Sequence, residues 1–425
     1  MTRRRKITLL VIAAAILVGA LVIRSLLDPA YLVPKLLAMA GDSLGLEITA
    51  SGSSDYRLRG TPELTARKVI AREPGGGAIL LQAERVYIAV PWSTLRSRGA
   101  ELSVDRIELD APVLDAAALQ RWLSKRPPSQ SPLPTLSSGI GITRGRITGD
   151  GWKVDNLGVD LLSLAPEKPL RAHLSGLYST GLATTGLARA STRVPFDVHA
   201  TLTRPTSGAG IGVVGQLSIE STDWRMPSTV RLSAKLLTED GFQLQHTVLG
   251  SRSRLLSGAT NLPFAIGIAG TLRADAETIL LEPAGLATIG ADAMPTLTGS
   301  GDFSWGDAVR INLAGTLADW PSAWPALPPP LGRSASPLPF QLAYDGANDF
   351  SDVASLHMQR DETVFDGRFR LTEMLDWMQV GSEGSLLPPL TGQLKTPRLE
   401  VSGATLEGVE IQIEEPTLPP SNTKQ

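Results

Sequence analysis

Residues able to do chemistry are sparse in this 425-residue chain. The four histidines, His173, His199, His246 and His357, lie far apart, and none has the sequence spacing of a metal-binding pair. His199 follows Val198 on the polar side of an alternating run, which reads as a solvated strand position. The chain contains no cysteine, so thiolate metal sites, disulfides and thiol catalysis are removed together. It contains no G-x-S-x-G, no phosphate-binding P-loop and no H-E-x-x-H. Gly139-Ile140-Gly141 followed by Gly145 is a poor nucleotide fingerprint, because it sits between strands with no helix after it. Asp361-Glu362 falls in a polar turn, although glycosidase-type carboxylates can be far apart in sequence. The expectation is a non-enzymatic protein with no catalytic residue, metal or cofactor.

Composition narrows the class further. The formal net charge is −2 and no long basic run exists beyond the N-terminus, so nothing favours nucleic acid. Aromatic residues make up 5 %, too few for a base-stacking platform. With 42 % hydrophobic residues the chain can bury or line a large surface.

The elements that must carry that surface can be read in order. Arg3, Arg4, Arg5 and Lys6 precede an uncharged run from Ile7 to Ile23, followed by Arg24. The run is near the lower limit for a membrane span, and its basic flank predicts a cytoplasmic N-terminus and an exported body. No small-residue cleavage site follows, so an uncleaved anchor is favoured over a signal peptide. Asp28-Pro29 then has the signature of a helix start, and Tyr31, Leu32, Lys35, Leu36, Met39 and Leu44 follow at helical spacing, with Gly41 and Gly45 ending the helix. Such a helix can plug one end of a β structure or lie on the membrane; the plug is favoured.

From Leu46 onward the chain reads almost wholly as strands. Val86, Ile88 and Val90 alternate with Arg85, Tyr87 and Ala89, the pattern of a strand with one apolar and one wet face. Leu102 and Val104 alternate similarly, the phase slips after Asp105, and Ile107 and Leu109 resume, which predicts a bulge or bend. Ala116 to Leu123 reads as a short helix, Ser124 to Ser138 as a Pro/Ser-rich loop, Trp320 to Pro339 as a second Pro-rich loop, and Thr372 to Met378 as a helical turn or two. Val194-Pro195-Phe196, Leu262-Pro263-Phe264 and Leu338-Pro339-Phe340 each open a clean strand, and Pro there suits a strand's first position or an edge. Glycine inside strands at Gly215, Gly270, Gly315 and Gly392 predicts bulges or sharp curvature.

With these elements placed, the chain resembles the AsmA family. The resemblance is carried by Asp28 to about Leu114: the short helix, Gly45-Leu46-Glu47-Ile48, Pro62-Glu63-Leu64-Thr65-Ala66, Ala83-Glu84-Arg85-Val86-Tyr87-Ile88, and Ile107-Glu108-Leu109-Asp110-Ala111-Pro112-Val113-Leu114. The segment Leu390 to Ile413 is similar to the family's C-terminal strands, whereas about Gly139 to Pro389 agrees in character rather than in motif. Where members often have a Leu-rich turn, this chain has Pro91-Trp92-Ser93-Thr94-Leu95. The resemblance implies a protein of the Gram-negative inner membrane with a periplasmic body. Larger members of that family belong with the chorein-type bridge proteins, so the resemblance also implies a sheet that curls into an apolar groove for acyl chains. Phospholipids are then the implied ligand, with a role in transport between the two membranes and in envelope integrity. Outer-membrane assembly factors are implied as further partners, and no catalytic residue carries over.

The expected fold is therefore mainly β: a transmembrane helix and a short helix, then a long, twisted, mostly antiparallel sheet curled into an apolar groove. The expected organisation is a basic tip and anchor over residues 1–27, an N-terminal module over 28–123, the loop 124–138, a continuing groove over 139–415 and a disordered tail over 416–425. Candidate groove-lining residues are Val86, Ile88, Val90, Ile107, Leu109, Ile266, Ile268, Ile311, Leu313, Phe369, Val409 and Ile411. Alternation alone does not separate an open groove from a β-sandwich. The rival reading is a scaffold that influences outer-membrane protein assembly, its apolar faces closed on each other.

Overall fold

A computed structural model describes residues 33, 37–38, 41–42, 45–96, 103–125, 135–166, 168–180, 192–222, 224–238, 242–258, 260–275, 278–290, 294–324, 327, 331–332, 334, 336–347, 350–380, 388–401, 404–414 and 418. The expected anchor, Ile7 to Ile23, lies outside the described residues, as does the tail after Leu418. Among the described residues no helix is long and apolar enough to cross a membrane. The fold is mainly β, as the alternation requires.

The chain divides into two compact units, Met1–Pro205 with Glu220–Thr222, and Thr206–Ile219 with Asp223–Gln425. The first unit runs through the expected loop 124–138. The strands on either side of that loop pair with each other, which holds both in the first unit.

In the first unit the strands are β1 (Glu47–Ala50), β2 (Ser54–Arg57), β3 (Glu63–Arg72), β4 (Ile79–Ala89), β5 (Ser103–Val104), β6 (Arg106–Asp110), β7 (Val113–Asp115), β8 (Thr135–Leu136), β9 (Ile140–Thr148), β10 (Trp152–Leu161), β11 (Leu170–Thr180) and β12 (Thr192–Leu202). Two short helices, α1 (Trp92–Arg96) and α2 (Ala116–Ser124), interrupt them. Strands β1 and β2 both pair with β3, and β3 with β4, all antiparallel. Strand β4 then pairs with β6 and β7. Strand β9 runs parallel to β6 and β7, and β5 parallel to β8, so this unit is mixed rather than antiparallel throughout. From β9 to β12 the pairing is antiparallel and sequential.

At the expected phase slip the chain bends at Asp105, which separates β5 from β6. Helix α2 starts where Asp115 caps it: the Ala118 backbone N–H donates to the Asp115 carboxylate at 2.7 Å. The Pro91-Trp92 turn forms α1, and the Trp92 indole N–H donates to the Gly60 carbonyl at 2.8 Å. Among residues 28–45 those described include the helical Val33, Leu37 and Gly41, all buried. Val33 and Leu37 pack with Ala66 and Val69 against Ile48, Ala50, Leu64 and Val86. Val33 and Leu37 thus seat on the apolar face of the sheet; the expected stripe residues Tyr31, Leu32, Lys35, Leu36, Met39 and Leu44 lie outside the described residues.

The second unit opens with β13 (Ala209–Glu220) and continues through β14 (Arg225–Leu237), β15 (Phe242–Ser257), β16 (Thr260–Ala274), β17 (Ile279–Gly290), β18 (Leu297–Trp305), β19 (Ala308–Leu317), β20 (Leu338–Ala347), β21 (Val353–Arg360), β22 (Thr363–Arg370), α3 (Leu371–Val380), β23 (Leu390–Val401) and β24 (Ala404–Ile413). From β14 to β24 every strand pairs antiparallel with the next. Pro263 and Pro339 are not strand-opening residues, lying inside β16 and β20, and Pro195 lies inside β12. Their position still has an edge character. Pairing with the following strand begins one residue later, at Phe264 and Phe340, so a proline there interrupts no continuous two-sided ladder.

Register shifts cross four neighbouring strands in line, between Ser233 and Lys235, Leu244 and Thr247, Gly270 and Leu272, and Leu281 and Ala284. Bulges bend a strand and increase its twist. Aligned in this way, they bend β14 to β17 together. Gly270 has φ +154, and a Cβ there would meet the Pro283 carbonyl oxygen at 2.1 Å. Gly315 and Gly392 do a different job from the expected bulge. Each faces another glycine across the ladder, Gly299 and Gly367, and a Cβ on Gly315 would lie 2.9 Å from the Phe340 ring. The missing side chains make room for aromatic rings. Gly270→Ala should therefore destabilise the protein by about 2 kcal/mol or more, read as an earlier thermal transition; an unchanged melting temperature would show that the bulge line relaxes freely.

Candidate functional site

The ladder registers place the apolar residues of the second unit on one face. A single row can be followed across it: Leu232, Leu249, Ile268, Leu286, Gly299, Gly315, Phe340, Met358, Phe365, Leu394 and Ile411 are each directly opposite the next. A second row holds Gly301, Leu313, Leu342, Leu356, Gly367, Gly392 and Ile413. Residues two apart share a face, so Ile266, Ile268, Ile311, Leu313, Phe369, Val409 and Ile411 all point to the same side. Seven of the twelve expected residues are thus brought onto one surface.

That surface is not uniform. Between β18 and β23 it is covered. Leu331, from the Pro-rich segment, is buried with Leu317, Leu338, Phe340, Met358 and Leu394, and Trp320, Leu327 and Leu313 pack on them. Leu371 and Met374 of α3 pack on a second cluster of Val309, Tyr344, Ala354, Phe369 and Leu390, which Ile311 also joins. The Arg360 guanidinium fastens the covering segment by donating to the Leu331 carbonyl at 2.7 Å and the Ser334 carbonyl at 2.9 Å. Phe369 is therefore a core residue, while Ile311 and Leu313 are half-buried and pack against the clusters. Ile266 and Ile268 remain half-buried and outside these clusters, as does Val409, while Ile411 is exposed. At one end of the strands Phe242, Ile279 and Trp305 form an exposed apolar lip on this face, with Ala274 between the first two in register.

Strands β18 to β24 also line a cavity of about 1030 Å³. Its walls include Asn312, Gln341, Ser355, His357, Asp366, Arg368, Gln393 and Gln412. Leu313, Leu342, Leu356 and Ile413 of the second apolar row line it as well, with Leu418. His357 Nδ1 lies 2.6 Å from Asp366 Oδ1 within it. The cavity is thus of mixed polarity, and Leu313, one of the expected groove residues, belongs to its lining.

In the first unit Val86 is opposite Ala66 and Leu109, and Ile88 opposite Leu64 and Ile107. Ile107 and Leu109 face Ile140 and Ile142. These four expected residues share one face, and Val86 lies beneath Val33 and Leu37. Val90 lies just past β4, its N–H donating to the Pro62 carbonyl at 2.9 Å. The other face carries ion pairs: Arg85 and Arg106 reach Glu108 at 3.0 and 2.8 Å, and Arg144 reaches Asp110 at 2.8 Å. The Arg106 hydrogen bond, aided by Arg85, holds the Glu108 carboxyl below its usual range; Arg144 does the same for Asp110, and Lys153 with Arg146 for Asp155.

Sequence reasoning missed one grouping. His173 and His199, separated by 26 residues, stand directly opposite each other on β11 and β12, with ring centroids 4.6 Å apart. Strand pairing brings them together, and only correct placement of both strands, with their register, could have revealed it.

A carboxyl whose folded pKa is lowered contributes stability above its unfolded pKa and loses it as pH falls through the folded value. Stability should therefore decline below about pH 4, and Glu108→Gln should cost about 1 kcal/mol at pH 7 while flattening that decline; an unaltered pH profile in the variant would exclude Glu108 from it. A second comparison probes the apolar face. Ile311→Asp should cost several kcal/mol, because the carboxylate is set against the buried cluster of Val309, Tyr344 and Phe369, whereas Ile268→Asp, at a position outside these clusters, should cost about 1–2 kcal/mol. Equal losses in thermal unfolding would mean that the two positions are equally closed.

No family model, curated protein or solved structure matches the chain.

Proposed function

We propose that this protein binds lipid acyl chains on the apolar sheet face, as an inner-membrane-anchored periplasmic protein that contributes to phospholipid transport between the inner and outer membranes and to envelope integrity. The observation that carries this reading is the apolar row held in register from Leu232 on β14 to Ile411 on β24. A hydrocarbon chain is recognised by continuous apolar surface rather than by directed polar contacts. Half-buried side chains such as Ile266 and Ile268 leave such surface to be covered. The resemblance of Asp28 to Leu114 to the AsmA family supplies the compartment and the lipid class, and the basic flank of Ile7 to Ile23 supplies the orientation.

A second reading, a periplasmic scaffold acting in outer-membrane protein assembly, is favoured by the closure of the same face between β18 and β23 under Leu331 and α3. Closed clusters exclude a ligand there and restrict acyl contact to the open strands. The two readings separate in cells. With a photo-crosslinking amino acid at Ile268 or Ile411 of the full chain, irradiation should yield adducts carrying phospholipid of mixed headgroup, and the same probe at Gln341 on the polar face should not. Absence of lipid from Ile268 and Ile411, or equal labelling at Gln341, would overturn acyl-chain binding.

A further inference from the structure

The polar face of β10 to β12 carries a cluster whose chemistry the lipid reading does not use. His173 and His199 are directly opposite in the β11–β12 ladder, their imidazoles stacked with centroids 4.6 Å apart and planes 18° apart. Asp197 precedes His199 by two residues and so shares its face; its Oδ1 lies 2.8 Å from His173 Nε2. One donor atom from each of the three lies within 4.8 Å of the others. On the other flank, Asp160 of β10 stands directly opposite His173 in register. Two imidazoles and a carboxylate therefore converge from two strands, with a second carboxylate beside them.

We propose that His173, His199 and Asp197 bind a divalent transition-metal ion, with zinc as the physiological class. Neutral imidazole nitrogen and carboxylate oxygen are ligands for borderline ions such as Zn²⁺, whereas Ca²⁺ and Mg²⁺ require oxygen donors throughout. Metal–donor distances of about 2.0–2.1 Å set tetrahedral donors roughly 3.3 Å apart. Reaching that from the present spread takes side-chain rotation alone, because the β11–β12 register is unbroken from Leu170↔Leu202 to Thr180↔Thr192. The ion enters between His173 Nε2 and Asp197 Oδ1, replacing their hydrogen bond. Three protein ligands leave a coordination position for water or for Asp160. His173 and Asp197 are both solvent-accessible, their side chains 41 % and 64 % exposed, so the ion can enter and leave from solution. Leu174 and Val198, the next residues along each strand, point to the apolar side, so the sheet lies between the ion and that face.

The test uses the full chain in detergent, stripped of metal with a chelator and titrated with zinc chloride. One Zn²⁺ per chain should bind with a dissociation constant in the micromolar range, and Co²⁺ in its place should develop visible d–d absorption with nitrogen ligation. His173→Ala and His199→Ala should each weaken binding roughly tenfold or more, with Asp197→Asn showing a smaller loss. His357→Ala, which removes the separate His357–Asp366 pair, should leave the titration unchanged. Both histidine replacements are at strand surfaces, and unaltered circular dichroism and melting temperature identify them as folded. Failure of the metal-free protein to take up zinc, or undiminished uptake by a folded His173→Ala/His199→Ala double variant, would overturn the proposal.

Discussion

Register is the constraint on which the structure of the second unit depends. The side-chain period along a strand is two, so a shift of one residue between neighbouring strands moves an entire apolar set to the wet side. From β14 to β24 successive ladders keep Leu232, Leu249, Ile268, Leu286, Phe340, Met358, Phe365, Leu394 and Ile411 aligned. Hydrophobic burial and backbone hydrogen bonding therefore reinforce one register. Where the side chains are small, at Gly299 with Gly315 and at Gly367 with Gly392, neighbouring rings take the vacated space instead of breaking the row.

The same register makes curvature a local matter. Antiparallel pairing tolerates an extra residue only as a bulge, and the shifts from β14 to β17 occur at neighbouring positions in adjacent strands. An isolated bulge would misalign the rows beyond it. Aligned bulges restore the alignment on both sides, so Leu244, Leu272 and Leu281 remain opposite one another past the bend.

Coverage of the apolar face is decided by segments outside the ladder. Leu331 is 1 % exposed although it belongs to a Pro-rich connection, and buried Arg360 supplies the hydrogen bonds that its neighbourhood would otherwise lack. Placing a guanidinium there is costly unless its donors are satisfied, and two carbonyls of the covering segment satisfy one of its nitrogens. This links closure of the face to a specific polar contact. In the first unit the corresponding cover is helical, with Val33 and Leu37 seated on Ala66 and Val69.

The sequence by itself determined the β class, the positions of most strands, the helices near Ala116 and Leu371, the bend at Asp105 and the bulge at Gly270. Each is written in local alternation, a cap or a glycine, and local backbone preference is enough to express it. It also determined that Ile266, Ile268, Ile311, Leu313, Phe369, Val409 and Ile411 share a face type, because alternation is a property of each strand alone. The tertiary structure decided which of them are covered. Ile311 and Ile268 have the same sequence signature and are both half-buried, yet only Ile311 packs against a buried cluster, which Phe350 and Leu371 and Met374 of α3 also join. The tertiary structure likewise decided the parallel pairing of β9 with β6 and β7, the division near Pro205, and the meeting of His173 with His199. These depend on contacts between residues distant along the chain, for which no local pattern carries the information.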